Sequence, residues 1–303
     1  MAQETYEERI MEREIVNKVA IIGGTHGNEY TGIYLLEKYH EYPHLLQPKT
    51  FDVEYLLANP EAFKKNRRYL DRDLNRSFKL FDLKDPLLSG YENARAKEIN
   101  DQLGPKGDSR VDMIVDLHTS TAPMGVNLVL TKTDTFHLML VDYVQQRMDE
   151  VTVTLEQQQD HHFLMTVADR HVLVEVGPVP QAQLKHEVFE KTEKTVQLIA
   201  EYIELYNQHK LPQPSESIDI YEYFSVMHLP TDPLGNICGM VHKNIQDRDF
   251  QTLKSGEPIF HLFNGKDEHY EGEDCTISFI NEAAYYDEKK AFSMSKRRTY
   301  HIG

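Results

Sequence analysis

Two residues that can bind a metal ion lie three positions apart near the start of the chain. His26 and Glu29 follow the apolar run 19–22 and a pair of glycines. A second imidazole, His118, ends another apolar run much later in the sequence. Catalytic zinc sites use three nitrogen or oxygen ligands and keep one position open for water. His26, Glu29 and His118 therefore predict a zinc ion that activates water and polarises a carbonyl group.

Other residues could supply the remaining chemistry of hydrolysis. Glu175 lies in an apolar run, and a buried carboxyl group has a raised pKa that suits a general base and acid. The basic stretch 64–78 offers Arg68 to stabilise an oxyanion, and Asn75 with Arg76 to hold a substrate carboxylate. Both groups could instead have purely structural roles. Glu175 could be the buried partner of an arginine, and the basic stretch could be a solvated loop that pairs with Asp71 and Asp73.

Each candidate ligand or base lies in or just after a segment with the character of a buried strand. Segment 19–22 precedes His26, segment 111–118 ends at His118, and segment 172–176 contains Glu175. Segments with helical spacing separate them, and the order strand, helix, strand predicts an α/β fold with parallel strands. Ligands bind at the carboxyl ends of strands in open α/β sheets, so we expect these residues to meet at one edge.

A change in composition predicts two structural regions. The segment 210–214 is rich in proline, and short alternating runs with turns replace the helical spacing beyond it. We predict a polar lead-in over residues 1–17, a catalytic domain over 18–211 and a smaller, mainly β domain over 212–303.

The composition limits the partners of the protein. The 303 residues carry a net charge of -16 and two cysteines, Cys238 and Cys275. An acidic surface disfavours nucleic acid and anionic membranes, and two thiols are too few for a disulfide framework. Without a signal peptide or an apolar stretch of membrane length, we predict a cytoplasmic protein that acts on a small molecule. A homodimer is compatible with the sequence.

Several longer motifs together resemble those of the aspartoacylase family, in the zinc carboxypeptidase-like group that includes the succinylglutamate desuccinylases. The resemblance runs in order from about residue 18 to about residue 292. It rests on Gly23-Gly-Thr-His-Gly-Asn-Glu29, Asn59-Pro60, Arg68-Tyr-Leu-Asp-Arg-Asp-Leu-Asn-Arg-Ser-Phe78, Asp116-Leu-His118, Val174-Glu-Val-Gly-Pro178 and Asn281-Glu-Ala-Ala-Tyr-Tyr286. It implies a carboxypeptidase-like α/β domain with a mixed sheet and flanking helices, a smaller β domain over the entrance, and zinc-dependent hydrolysis of an N-acyl amino acid.

The resemblance also implies a role for each candidate residue. The zinc ligands are His26, Glu29 and His118, the catalytic glutamate is Glu175, the carbonyl-polarising arginine is Arg68, and the substrate contacts are Asn75, Arg76 and Tyr285.

One part of the family pattern is not matched. The arginine that reads the aspartate side chain in vertebrate aspartoacylases falls near Met165, and Arg170 is too close to Glu175 to replace it. We predict a deacylase that prefers N-acetyl-L-aspartate, and keep an aminoacylase for neutral or aromatic amino acids as the alternative. A non-catalytic, zinc-stabilised binding protein and a peptidase are the rival classes.

Overall fold

The structure is a computed structural model that describes residues 15–157 and 160–302, so most of the predicted lead-in lies outside the described residues. The strands are β1 Lys18–Gly23, β2 Asp52–Leu57, β3 Met113–Thr119, β4 Gly125–Leu130, β5 Val151–Leu155, β6 Arg170–Gly177, β7 Ser217–His228, β8 Gly239–Val241, β9 Gln251–Leu253, β10 Pro258–Leu262, β11 Asp267–His269, β12 Cys275–Ser278 and β13 Lys290–His301. The α-helices are α1 Tyr30–Glu41, α2 Pro60–Lys64, α3 Leu80–Lys84, α4 Tyr91–Leu103, α5 Thr135–Gln145 and α6 His186–Asn207.

The larger sheet of the described residues is mixed and has the order β2-β1-β3-β6-β4-β5-β7-β13-β12-β9. Strands β2, β1, β3 and β6 are parallel, whereas β4 is antiparallel to β6. Strand β7 pairs in parallel with β5, so the strands after the proline-rich segment extend the same sheet. The α/β prediction with a mixed sheet and a mainly β C-terminal region is confirmed. The division at residue 211 stays a proposal.

Most segments predicted as helix or strand form the expected element, with small shifts at the ends. The spacing over residues 91–103, followed by Gly104-Pro105, predicts a helix, and helix α4 has these bounds. The pattern over residues 139–148 predicts another helix. Helix α5 begins earlier, at Thr135, because the side chain of Asp134 caps it by accepting a hydrogen bond from the backbone N–H of His137. Strand β5 was not predicted.

The two faces of the larger sheet differ in polarity near the strand ends. On β3, Val115 and Leu117 enter the core formed with α1, α5 and α6. Their neighbours Asp116 and His118 point to the opposite face, since successive side chains of a strand alternate. The second face is apolar only toward the strand starts, where Ile114 packs with residues of α4. Its polar end is the predicted location of the site.

The C-terminal region adds a small sheet of β11, β10 and β8 and its own core around Ile277 and Phe292. Asp249 lies at the edge of this core and accepts a hydrogen bond from the backbone N–H of Ile280 at 3.2 Å. Its other oxygen, Oδ2, is buried without a hydrogen-bond partner among the described residues. Burial raises the pKa of Asp249 to about 7. None of the described helices is long and apolar enough to cross a membrane.

Replacing Asp249 with asparagine should stabilise the protein at pH 8 but not at pH 4. A carboxyl group with a raised pKa in the folded state costs stability as the pH rises from about 4 to about 7. Asparagine avoids this cost and keeps the acceptor for Ile280, so we expect a gain of about 1 to 3 kcal/mol at pH 8, measured by urea denaturation. The neighbouring, exposed Asp247→Asn is the control. An equal gain at both pH values would contradict the prediction.

Candidate active site

His26, Glu29 and His118 come together at the carboxyl ends of β1 and β3. All three side chains are buried, and they offer ligand atoms that lie within 4.8 Å of one another. The Nδ1 atoms of the two imidazoles are 3.1 Å apart, and they lie 2.6 and 3.0 Å from the carboxylate oxygens of Glu29. Ligand atoms of a tetrahedral zinc site are separated by about 3.4 Å. The set therefore fits a zinc-sized cation after small adjustments.

A second carboxylate lies behind each imidazole. His26 Nε2 shares a hydrogen bond of 3.0 Å with Oδ1 of Asp73, whereas His118 Nε2 lies 3.0 Å from Oδ2 of Asp116 without the geometry of a hydrogen bond. Asp116 is itself held by the hydroxyl of Thr25, which donates to its Oδ1 at 2.8 Å. Carboxylates in this position fix the tautomer and orientation of metal-binding histidines. From the sequence, Asp73 is expected only to pair with the basic loop, so its role behind His26 is not predicted.

Glycine allows the loop between β1 and α1 to approach the basic stretch. A Cβ atom on Gly27 would lie 2.2 Å from the backbone nitrogen of Phe63, so a larger residue would displace the chain. The N–H of Gly27 donates to the carbonyl oxygen of Arg68 at 3.1 Å. Glu29 follows at the N-terminus of α1, where the helix dipole favours a negative charge.

Arg68 contacts the candidate ligand Glu29 and the carboxylate behind His26. Its Nη1 donates to Glu29 at 2.9 Å, and its Nη2 donates to Asp73 at 3.3 Å. Burial alone would raise the pKa of Asp73, but His26 and Arg68 lower it well below its usual value. The buried carboxylate is therefore ionised and holds the guanidinium group beside the site.

Asn75 and Arg76 follow in a 3-10 turn, Leu74–Arg76, which Asp73 caps by accepting from the N–H of Asn75 at 2.8 Å. The side-chain oxygen of Asn75 accepts a hydrogen bond from the N–H of Leu164 at 2.9 Å. Its amide nitrogen is then the group left for a ligand. The guanidinium carbon of Arg76 lies 5.1 Å from the ring centre of Phe163. These contacts hold both predicted substrate residues against the loop before β6.

Glu175 is the neighbour of His118 in the sheet, since the two residues are paired on the parallel strands β3 and β6. Burial raises the pKa of Glu175 to about 8, and the charge of Glu29 acts in the same direction. A carboxyl group with such a pKa can accept and return a proton near neutral pH.

Tyr285 reaches the site from the C-terminal region. It lies in the 3-10 segment Ala283–Glu288, and its electrostatic neighbours include Arg76, Glu175 and Arg68. The buried Glu282 holds this segment against the loop that follows His118.

Glu282 accepts hydrogen bonds from the N–H groups of Thr121 at 2.7 Å and Ala122 at 3.3 Å, and from the hydroxyl of Ser120. The role of Glu282 is not predicted from the sequence, although Glu282 lies three positions before Tyr285 in the motif 281–286.

The position expected for an arginine that reads the substrate side chain is apolar. Met165 is fully buried in the core on the site face of the sheet. Arg170 begins β6, roughly 16 Å along the strand from Glu175, and its guanidinium carbon lies 5.1 Å from the ring centre of Phe136. Neither residue can present a cation to a substrate beside Glu175.

Two charged residues near Tyr285 were not predicted. Lys290 Nζ lies 5.4 Å from the ring centre of Tyr285 and 2.5 Å from the carboxylate of Glu288. Glu156 follows β5, and burial raises its pKa while the positive charges of Arg76 and Lys290 oppose the shift. This part of the pocket therefore combines cations with one largely desolvated carboxyl group.

The variant Asp73→Asn should bind zinc about 10- to 100-fold more weakly, because the carboxylate that orients His26 is lost. Competition with a chromophoric chelator measures the affinity. Asp71→Asn is the matched control, since Asp71 lies in the same stretch but bonds the backbone N–H of Tyr91. Equal zinc affinity in Asp73→Asn and wild type would contradict the assigned role.

Comparison with known proteins finds two regions of the chain that match protein families. The succinylglutamate desuccinylase/aspartoacylase catalytic domain matches residues 15–203. The AstE/AspA barrel-sandwich hybrid domain matches residues 216–297. Together these models span both regions of the structure.

Relatives and solved structures agree with these matches. A probable aspartoacylase of Trichodesmium erythraeum is 40% identical, with 95% of this chain and 99% of the relative covered. The human N-acyl-aromatic-L-amino acid amidohydrolase (carboxylate-forming) is 38% identical, with 96% and 93% covered. The crystal structure of murine aminoacylase 3 superposes with a TM-score of 0.92 at 37% identity, covering 96% of this chain and 98% of that chain. The chain therefore belongs to the succinylglutamate desuccinylase/aspartoacylase family.

Proposed function

We propose that the protein is a zinc-dependent amidohydrolase that cleaves an N-acyl-L-amino acid into a carboxylate and a free amino acid. The observation that carries the proposal is the position of Glu175 beside the buried, convergent group His26, Glu29 and His118. The names of the relatives, a probable aspartoacylase and an N-acyl-aromatic-L-amino acid amidohydrolase, support the same class of reaction. A purely binding protein has no use for a proton acceptor at this place.

Zinc suits the donor set best among common metal ions. Two imidazole nitrogens and one carboxylate oxygen, each imidazole backed by a second carboxylate, form a typical catalytic zinc environment. When bound, zinc would lower the pKa of a water molecule and polarise the acyl carbonyl. We expect one zinc ion per subunit, and a cytoplasmic location remains a prediction.

The side chains divide the remaining work of hydrolysis. Glu175 takes a proton as the water oxygen adds to the acyl carbon, and returns it to the amide nitrogen as the C–N bond breaks. Arg68 stabilises the negative charge that develops on the acyl oxygen. Arg76 and the amide nitrogen of Asn75 bind the α-carboxylate, because a guanidinium group pairs well with a carboxylate. Tyr285 closes the pocket from the C-terminal side.

We infer N-acetyl-L-aspartate as the preferred substrate. Two cations lie near Tyr285, namely Arg76 and Lys290, and Lys290 also contacts Glu288. They would bind the two carboxylates of this dianion once Lys290 exchanges Glu288 for the substrate. The second candidate, an N-acetyl derivative of a neutral or aromatic amino acid, is favoured by Met165 at the position expected for a side-chain-reading arginine.

The variant Glu175→Gln, loaded with zinc, should lose turnover by roughly 10²- to 10⁴-fold, because glutamine cannot accept the proton from water. Steady-state assay of acetate release, together with metal analysis, measures the effect. The exposed Glu187→Gln serves as control. Near wild-type turnover in zinc-loaded Glu175→Gln would refute the proposed mechanism.

A panel of N-acetyl-L-aspartate, N-acetyl-L-leucine and N-acetyl-L-tyrosine tests the substrate. We expect the highest kcat/KM with aspartate, and a selective loss of about 10-fold or more for this substrate in Lys290→Gln, because one carboxylate loses its cation. Lys289→Gln is the matched control, since Lys289 bonds the carbonyl oxygen of Gly235 instead. Equal activity on the leucine or tyrosine derivative would remove the aspartate assignment and leave the mechanism intact.

A further inference from the structure

A row of polar residues crosses the face of the sheet that carries the candidate metal site. His118 on β3 is paired with Glu175 on β6, Glu175 is paired with Asn127 on β4, and Asn127 is paired with Thr152 on β5. On all four strands the alternate residues enter the large core on the opposite face. The row therefore continues from a candidate zinc ligand, through the candidate base, to Asn127, which has no role in the mechanism so far.

The side chain of Asn127 is completely buried, and its two ends differ in their contacts. The oxygen Oδ1 accepts hydrogen bonds from the hydroxyls of Thr154 at 3.0 Å and Thr152 at 3.3 Å. The nitrogen Nδ2 is buried and has no hydrogen-bond partner within the described ranges. A buried N–H donor without an acceptor costs free energy that an apolar side chain at the same position would avoid. The unused donor Nδ2 therefore needs an explanation.

The orientation of the amide follows from the order of the strands. The two threonines lie on β5, on one side of β4, whereas Glu175 lies on β6, on the other side. Because the threonines hold Oδ1 on the β5 side, Nδ2 is left for the β6 side. The flipped amide would bring its oxygen toward Glu175, and two acceptors would then face each other whenever Glu175 is ionised, which is the form that acts as the base. Residues directly opposite in an antiparallel pair have Cβ atoms about 4.5 to 5.5 Å apart, which an asparagine and a glutamate side chain can bridge.

We propose that Asn127 is a positioning residue for Glu175. In the structure Nδ2 does not yet reach Glu175. In the working site it donates a hydrogen bond to one carboxylate oxygen of Glu175, which leaves the other oxygen directed at the attacking water. Thr152 and Thr154 act one step further away by fixing the orientation of the amide. This inference rests on the proposed function, because it takes Glu175 as the base.

The test begins with Asn127→Ala and Asn127→Asp, assayed with N-acetyl-L-aspartate. Loss of the donor should lower kcat by about 10- to 100-fold, as for other residues that orient a catalytic group, while KM and the zinc content stay within about twofold of wild type. Asn127→Asp has nearly the same size but replaces the donor with an acceptor, so it should lose at least as much. Thr154→Val should show a smaller loss of the same kind.

Asn207→Ala is the matched control for a purely structural asparagine. The amide of Asn207 bonds the backbone of Val16 and Thr50 at the end of α6, far along the chain from the site. We expect this variant to lower the melting temperature and to keep kcat. If Asn127 behaves in the same way, with reduced stability but unchanged kcat, the positioning role is overturned.

A double-mutant cycle with Glu175→Gln separates this inference from the proposed function. In the Glu175→Gln background, Asn127→Ala should cause no further loss of kcat, because its partner has already lost the proton-accepting group. Multiplicative losses in the double variant would overturn the positioning role. An inactive Glu175→Gln combined with a fully active Asn127→Ala would also overturn it and leave the proposed function standing. If Asn127→Ala does not fold, Asn127→Asp and Thr154→Val carry the same expectations through the cycle.

Discussion

Burial of ionised groups is the constraint on which the rest of this structure depends. A carboxylate taken out of water is costly unless a cation, an imidazole or a hydrogen-bond donor compensates it. Glu29, Asp73 and Asp116 are each placed against an imidazole, and Arg68 bridges the first two. The glycine-containing loop after β1 and the turn capped by Asp73 bring these groups close enough for the compensation. The same arrangement leaves three ligand atoms directed at one point.

Glu175 differs from these carboxylates because no cation of the described residues pairs with it directly. The pKa of Glu175 is raised because its charge is not compensated. A raised pKa is also the property that a proton acceptor needs. The carboxylates of the site are therefore of two kinds. Some carboxylates are kept ionised to support a metal, and one is kept close to the point of taking up a proton.

The sequence predicts those parts of the site that depend on strand ends. His26, His118 and Glu175 could be placed together because apolar strands precede or contain them and parallel strands end at a common edge. Asp73, Glu282 and Asn127 could not be placed, because their roles depend on contacts between segments far apart in the sequence. Asn127 shows this well: the apolar pattern of residues 127–130 predicts a strand, but only the register of β4 against β6 brings Asn127 opposite Glu175. For the same reason, nothing in the local pattern of β7 indicates that it extends the central sheet.

The continuity of that sheet limits how the pocket can open. Strand β7 pairs with β5 beside Thr154 and Leu155, and Glu282 holds the loop after His118. A hinge between the two regions would have to break this ladder as well as the buried bonds to Glu282. The C-terminal region is therefore a fixed wall and not a closing lid. Substrate entry and product release must then depend on movements of side chains and short loops at the rim, so turnover need not wait for a large domain movement.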